Sequence, residues 1–206
     1  MIRPLAYLLL AFLAGSLPFG LWIARIARGV DVRAHGSGNI GATNVLRVAG
    51  TGWGILALAL DVAKGWLAVA LLPAALGLAG VGEGGGWPVA GAVAATVGHV
   101  FSPWVGFRGG KGVATFIGAA LALSPAAAGI AAAGFLIAVA VGRYVSVGSI
   151  VMAAVFPLAA LVVARGPLRV PIAVAGAALA LLIAWRHRAN WARLARGEES
   201  KLGRRP

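Results

Sequence analysis

Apolar residues fill most of the chain in runs of roughly membrane-spanning length, separated by short polar stretches rich in glycine and arginine. The runs over residues 4–24, 53–72, 88–105, 147–164 and 170–185 each predict one helix across a hydrocarbon core, with allowance for tilt and bilayer thinning. A sixth run, 113–141, would make a single helix of about 43 Å, too long for a core of about 30 Å. Ser124-Pro125 lies inside it, and a proline there ends one helix and starts the next. The split gives seven spans, one of them short: residues 113–123 cover only about 17 Å as a helix.

Charge placement argues for the same number. Arg25, Arg28, Arg33 and Arg47 follow the first run whereas only Arg3 precedes it, so the positive-inside rule puts the N-terminus outside. The tail carries Arg186, Arg188, Arg193, Arg196, Lys201, Arg204 and Arg205 and belongs in the cytoplasm, which requires an odd number of crossings. Seven crossings also bring Arg108, Lys111 and Arg143 to the cytoplasmic side. Crossing the long run once would throw Arg143 and the tail to opposite faces. The first run is too long for a signal-peptide core and lacks a clear small-residue cleavage pattern, so it is kept as a span. No linker, low-complexity segment or fixed-period repeat divides the chain. The expectation is one all-α domain over 1–206, a polytopic integral membrane protein with seven transmembrane helices, N-terminus outside and C-terminus cytoplasmic.

Composition excludes the main alternatives. With 61% hydrophobic and 11% charged residues, 31 glycines and a mean hydropathy of +0.93, the chain is no soluble domain, where about 25% of residues are charged. A net charge of +13 would suit nucleic acid on a soluble face, but these cations lie between apolar runs and read as topology signals and anion ligands. No nucleic-acid partner is expected. Zero cysteine rules out thiolate nucleophiles and thiolate metal sites. The acids are only Asp31, Asp61, Glu83, Glu198 and Glu199, too dispersed for a paired-carboxylate or metal-hydrolytic site, and no G-x-S-x-G elbow occurs. No cofactor and no metal is expected.

The remaining polar residues gather in four constellations. Residues 35–47 alternate glycines with Ser37, Asn39, Thr43 and Asn44 and end on Arg47, a composition that exposes backbone N–H groups and hydroxyls to an anion. The formal G-x-G-x-x-G at Gly36, Gly38 and Gly41 lacks the preceding strand of a dinucleotide site. The plainer alternative is a flexible turn between helices. Residues 98–115 include His99, Arg108, Gly109, Gly110, Lys111 and Gly112 and run into an apolar helix, as a phosphate cradle at a helix N-terminus would. The spacing is not that of a Walker A loop, and Arg108 and Lys111 also fit as topology anchors. Arg143, Ser146 and Ser149 lie at the mouth of two helices, where serine more often serves helix packing. His187 and Asn190, at i and i+3, share one helical face among Arg186, Arg188 and Arg193; a basic tail resting on anionic lipid is the competing reading. Asp61 and Lys64 inside a span read as a mutually neutralising structural pair, with a catalytic role as the alternative.

Taken together, these stretches resemble the bacterial acylphosphate-dependent glycerol-3-phosphate acyltransferases, the PlsY family. The resemblance rests on residues 36–44 with Arg47, on Gly98-His99 and 109–115, and on 187–190 with Arg193, Leu194, Gly197, Glu199, Ser200 and Lys201. Asp61, Lys64 and Gly65 also fit the family pattern. It implies seven spans in the bacterial inner membrane and an active site at the cytoplasmic face. The implied reaction moves an acyl group from acyl phosphate to the 1-hydroxyl of glycerol 3-phosphate, giving lysophosphatidic acid and phosphate. It also implies membrane lipid and a peripheral enzyme that makes the acyl phosphate as partners.

The family suggests Ser37, Arg47, Lys111, Ser149, His187 and Asn190 as ligands to substrate phosphates, with Ser146 the alternative to Ser149. Asn39, Thr43, Asn44 and the 109–112 backbone are expected as further donors, and Arg143 as a charge clamp. An acyl phosphate is a mixed anhydride, so direct attack by the acceptor hydroxyl needs no covalent enzyme intermediate, only positioning and charge stabilisation. The general base is either His187 or the substrate phosphate, whose second pKa of about 6 leaves it mostly dianionic. A carrier for a phosphorylated solute is the rival class; the clustering of polar loops on one side and the lack of matched broken helices stand against it.

Overall fold

A computed structural model describes residues 2–81 and 83–203. Arg204 and Arg205, expected among the cytoplasmic cations, lie outside the described residues. Those described form helices and turns without a β-strand. The sequence has no linker, yet its packing separates into two compact units, residues 1–122 and 123–206.

The first unit opens with α1 (Ile2–Ser16) and α2 (Phe19–Arg28), one apolar run broken at Leu17-Pro18. Pro18 has no N–H to continue the ladder, and its own carbonyl instead receives Leu21 and Trp22 at 3.0 and 3.2 Å to start α2. After a short turn at Val32–Ala34 come α3 (Ala42–Ala49), α4 (Thr51–Ala70), α5 (Leu72–Ala75) and α6 (Trp87–Val100). The expected span over 88–105 is therefore shorter than its apolar run. Helix α6 has 14 residues and ends where Ser102 and Pro103 turn the chain, so two of the expected spans fall on short helices rather than one. Helix α7 (Val113–Leu123) follows, and Ser124 separates it from α8, at the proline where the long run was expected to divide.

Side chains this small pack by bringing backbones together. A Cβ on Gly15 would collide with the backbone of Ala95, and one on Gly98 with the carbonyl of Phe12, which fixes α1 on α6 at two levels. Gly65 of α4 meets the Thr115 carbonyl and Gly118 of α7 meets the Val62 carbonyl in the same reciprocal way. Tyr7 is the large exception: fully buried, it donates to the Ala68 carbonyl at 2.9 Å and lies over Gly91.

The second unit contains α8 (Pro125–Gly142), α9 (Val145–Val163), α10 (Arg169–Arg186) and the short α11 (Arg188–Ala195). Gly148 of α9 receives Val139 and Phe135 of α8, and Gly176 of α10 receives Phe156 and Pro157 of α9. Five helical stretches, Ile2–Arg28, Thr51–Ala70, Pro125–Gly142, Val145–Val163 and Arg169–Arg186, are long and apolar enough to cross a membrane.

Gly118→Leu should overpack the α4–α7 contact by about 1–3 kcal/mol and lower the thermal midpoint in detergent. Gly129→Ala, at an α8 position with nothing within 4 Å of the added Cβ, should leave the midpoint unchanged or raise it slightly.

Candidate functional site

In the first unit the 35–44 loop is organised by one buried amide. Asn44 accepts the Ser37 N–H at 2.8 Å and donates to the carbonyls of Val32, His35 and Asn39 at 3.0, 3.0 and 2.9 Å. Gly36 and Gly38 take left-handed backbone, φ 59° and 68°, and a Cβ on Gly36 would strike the Asn44 oxygen. Asn39 accepts the Gly41 N–H at 2.8 Å. Asn44 was expected to donate to phosphate, but its amide is committed to the loop, as is the carbonyl oxygen of Asn39. In contrast, Ser37, Thr43 and Arg47 are exposed and their side chains make no hydrogen bond or ion pair within the described residues. Thr43 and Arg47 stand at i and i+4 on α3. Asp31 ties down two other cations, pairing with Arg33 at 2.6 Å and Arg25 at 3.1 Å. Its carboxyl is held well below the usual range by the Arg33 side chain and backbone N–H and by Arg25.

The 106–112 loop is pinned to the end of α6. Gly109 and Gly110 donate their N–H groups to the carbonyls of Val100 and His99, both at 3.1 Å, and added Cβ atoms would collide with the His99 carbonyl and with His99 Nε2. These two backbone donors were expected to face an anion; they instead hold the loop in place. Gly112, at φ 86°, offers its carbonyl to Phe116 as α7 begins, and half-buried Lys111 sits between that start and the pinned glycines.

Behind this loop lies a buried charged cluster. Lys64 Nζ is 2.7 Å from Asp61 Oδ1, 2.7 Å from the Leu17 carbonyl and 2.9 Å from His99 Nδ1. The i, i+3 spacing makes the Asp61–Lys64 pair legible in sequence, whereas the contribution of His99 from α6 is not.

In the second unit the junction of α10 and α11 carries His187 and Asn190, both buried. His187 Nδ1 donates to the Ile183 carbonyl at 2.8 Å, which in the neutral ring makes Nε2 the acceptor nitrogen. Ser146 and Asn190 both donate to Glu199 Oε1, at 2.8 and 2.6 Å, and Arg193 donates to Oε2 at 2.8 Å. Ser149 donates to the Val145 carbonyl at 2.8 Å. Arg143, at φ 62°, exchanges two bonds with Leu202: its guanidinium donates to the Leu202 carbonyl at 2.9 Å and its carbonyl accepts the Leu202 N–H at 2.7 Å. Arg143 therefore clamps the tail. Sequence reasoning gave Glu199 no role in these contacts, because nothing along the chain shows that the tail folds back on α9 and α11.

Burial raises the Glu199 pKa, but the hydrogen bonds from Asn190, Ser146 and Arg193 outweigh it and hold the carboxyl below its ordinary value. Such a depressed group stabilises the docked tail above its unfolded-state value and loses that contribution as pH falls through the lower folded-state value. Hydrogen exchange over 197–203 should therefore stay slow from neutral pH down to about pH 4.3, the unperturbed value for Glu, and rise only below it. Glu199→Gln should exchange faster at neutral pH.

The whole chain has known relatives. The family model for glycerol-3-phosphate acyltransferase matches residues 5–197. A glycerol-3-phosphate acyltransferase of Anaeromyxobacter dehalogenans (strain 2CP-C) is 49% identical over 191 residues, 93% of each chain. One of Geobacter sulfurreducens is 43% identical over 202 residues, 98% of this chain and 99% of its own. A crystal structure of PlsY (YgiH), an integral membrane glycerol 3-phosphate acyltransferase, in its glycerol 3-phosphate form matches with TM-score 0.87 at 36% identity, covering 97% of this chain and 96% of that one. Its lysophosphatidic acid form matches with TM-score 0.85.

Proposed function

Because the chain belongs to the glycerol-3-phosphate acyltransferase family of integral membrane proteins, we propose that it acylates the 1-hydroxyl of sn-glycerol 3-phosphate with acyl phosphate as donor. The hydroxyl oxygen attacks the acyl carbon, the bond from that carbon to the phosphate oxygen breaks, and lysophosphatidic acid and phosphate leave. The observation that carries the reading is the 35–47 segment, where a buried Asn44 fixes the loop while Ser37, Thr43 and Arg47 stay exposed and uncommitted. An arginine and two hydroxyls so placed suit a phosphate.

Lys111 supplies charge to the phosphates and to the developing oxyanion. Asn44, Gly109 and Gly110 act as scaffold. Of the two serines, Ser149 is the substrate ligand. Its hydroxyl only back-bonds to a helix carbonyl and can rotate away, whereas Ser146 holds a charge-assisted bond to Glu199. Asn190 is oriented by Glu199. His187, with its Nδ1 proton on Ile183, donates to phosphate only as the imidazolium and accepts a proton only when neutral. We assign it the donor role and give the proton of the attacking hydroxyl to the substrate phosphate.

Purified protein should form labelled lysophosphatidic acid from glycerol 3-phosphate with acyl phosphate, and not with acyl-CoA or acyl carrier protein. Lys111→Ala should lose about 10²–10³-fold in kcat. KM for glycerol 3-phosphate should rise with pH as the His187 imidazolium is lost; a rising limb of kcat/KM that disappears in His187→Phe would make His187 the base. Saturable binding of glycerol 3-phosphate without product from any donor would mark a carrier.

The proposed setting is the bacterial inner membrane, with seven crossings, the N-terminus outside and the site facing the cytoplasm. An acyl-phosphate-producing enzyme would dock from that side. Since the chain has no cysteine, single cysteines report side cleanly. In intact cells a membrane-impermeant maleimide should label Gly84→Cys and leave Gly197→Cys unmodified; the reverse pattern would invert the topology.

A further inference from the structure

The mechanism above does not use the Asp61–Lys64–His99 cluster. Its bonds nevertheless lead to both polar loops of the first unit. Lys64 bonds to two acceptors, the Leu17 carbonyl at 2.7 Å and His99 Nδ1 at 2.9 Å, and is ion-paired with Asp61 Oδ1 at 2.7 Å. The Leu17 carbonyl lies at the break before α2, and the ring of Phe19, the first residue of α2, is 5.6 Å from the same nitrogen. The next residue, Gly20, packs so closely under the Ile40 carbonyl that a Cβ would collide with it. The position of α2 therefore sets the floor of the 35–44 loop.

The bond to His99 leads to the other loop. With Lys64 donating to Nδ1, the neutral His99 ring carries its proton on Nε2, the edge packed against Gly110. The backbone carbonyl of the same histidine receives the Gly110 N–H, one residue before Lys111. A rotated ring would strike Gly110 and shift the loop.

We propose that Lys64 is a positioning residue for the reaction: one buried ammonium, through Leu17 on one side and His99 on the other, holds the 35–44 loop and Lys111 in mutual register. Asp61 supplies the countercharge that keeps the ammonium in place. A pair present only to neutralise itself would be replaceable by two uncharged residues of similar size. A positioning pair would not, because the bonds to Leu17 and His99 would be lost with the charge.

The inference uses the acyl-transfer reading only for its kinetic readout. The test compares Asp61→Asn/Lys64→Met, which leaves no orphan charge, with His99→Asn, which keeps an acceptor near the Nδ1 position, and His99→Leu, which does not. The double variant should stay monodisperse in detergent, raise KM for glycerol 3-phosphate and lose about 10²-fold in kcat, as a displacement of about 1 Å would cause. His99→Asn should keep most of the parent rate while His99→Leu falls with the double variant. Amide exchange of Gly109 and Gly110 should accelerate in the double variant and in His99→Leu.

Parent-like kcat and KM in the double variant, or equal rates in the two His99 variants, would overturn the proposal. If the double variant aggregates, the His99 pair decides. If the parent chain transfers no acyl group, the functional reading fails, and Gly109 and Gly110 exchange alone decides: faster in the variants supports Lys64 as the positioning group, unchanged refutes it.

Discussion

A buried backbone carbonyl without a donor costs about 1–3 kcal/mol, and the interruption at Leu17-Pro18 creates this problem at the centre of the first unit. Pro18 brings no N–H and its carbonyl takes the Leu21 and Trp22 N–H groups, so within the chain at the break the Leu17 carbonyl receives only the Phe19 N–H, at 3.1 Å. Further donors come from elsewhere: Lys64 reaches the Leu17 carbonyl at 2.7 Å and Ser102 reaches the Ser16 carbonyl at 2.6 Å. Trp104 adds a bond to the Ser16 hydroxyl at 2.8 Å. The break thereby becomes the point where α4 and the 101–112 segment are fastened to α1 and α2. Both polar loops of the unit take their positions from it.

Fastening of this kind works only if the helices are close, and here glycine sets the spacing. In hydrocarbon there is little gain from burying one apolar side chain against another, so association relies on dispersion and short backbone separations. The reciprocal pairs Gly15–Ala95 with Gly98–Phe12, and Gly65–Thr115 with Gly118–Val62, provide it. Close contact between α4 and α7 also fixes where α7 begins, and hence where Lys111 enters it.

The second unit uses a carboxylate where the first uses an ammonium. Glu199 gathers Ser146, Asn190 and Arg193, and the Arg143–Leu202 exchange holds the tail a few residues on. In a chain with 18 basic and 5 acidic residues, each acid that gathers several donors fixes a local geometry. Asp31 gathers Arg25 and Arg33, Asp61 faces Lys64, and Glu199 orients the amide of Asn190.

What the sequence determined by itself follows from periodicity, length and charge, which are local. The apolar runs identify the helices, Ser124-Pro125 divides the long run, the i, i+3 spacing pairs Asp61 with Lys64, and the loop motifs carry the family resemblance. Tertiary structure decided which polar atoms remain available. Asn44, Gly109 and Gly110 resemble anion donors in sequence because their groups are the right kind, yet bonds to residues 5 to 12 positions away or at the end of another helix occupy them. It also shortened α6, brought His99 to Lys64 across 35 residues and Glu199 to Ser146 across 53. A hydrogen bond between distant segments leaves no trace in spacing; only the folded chain sets which donor meets which acceptor.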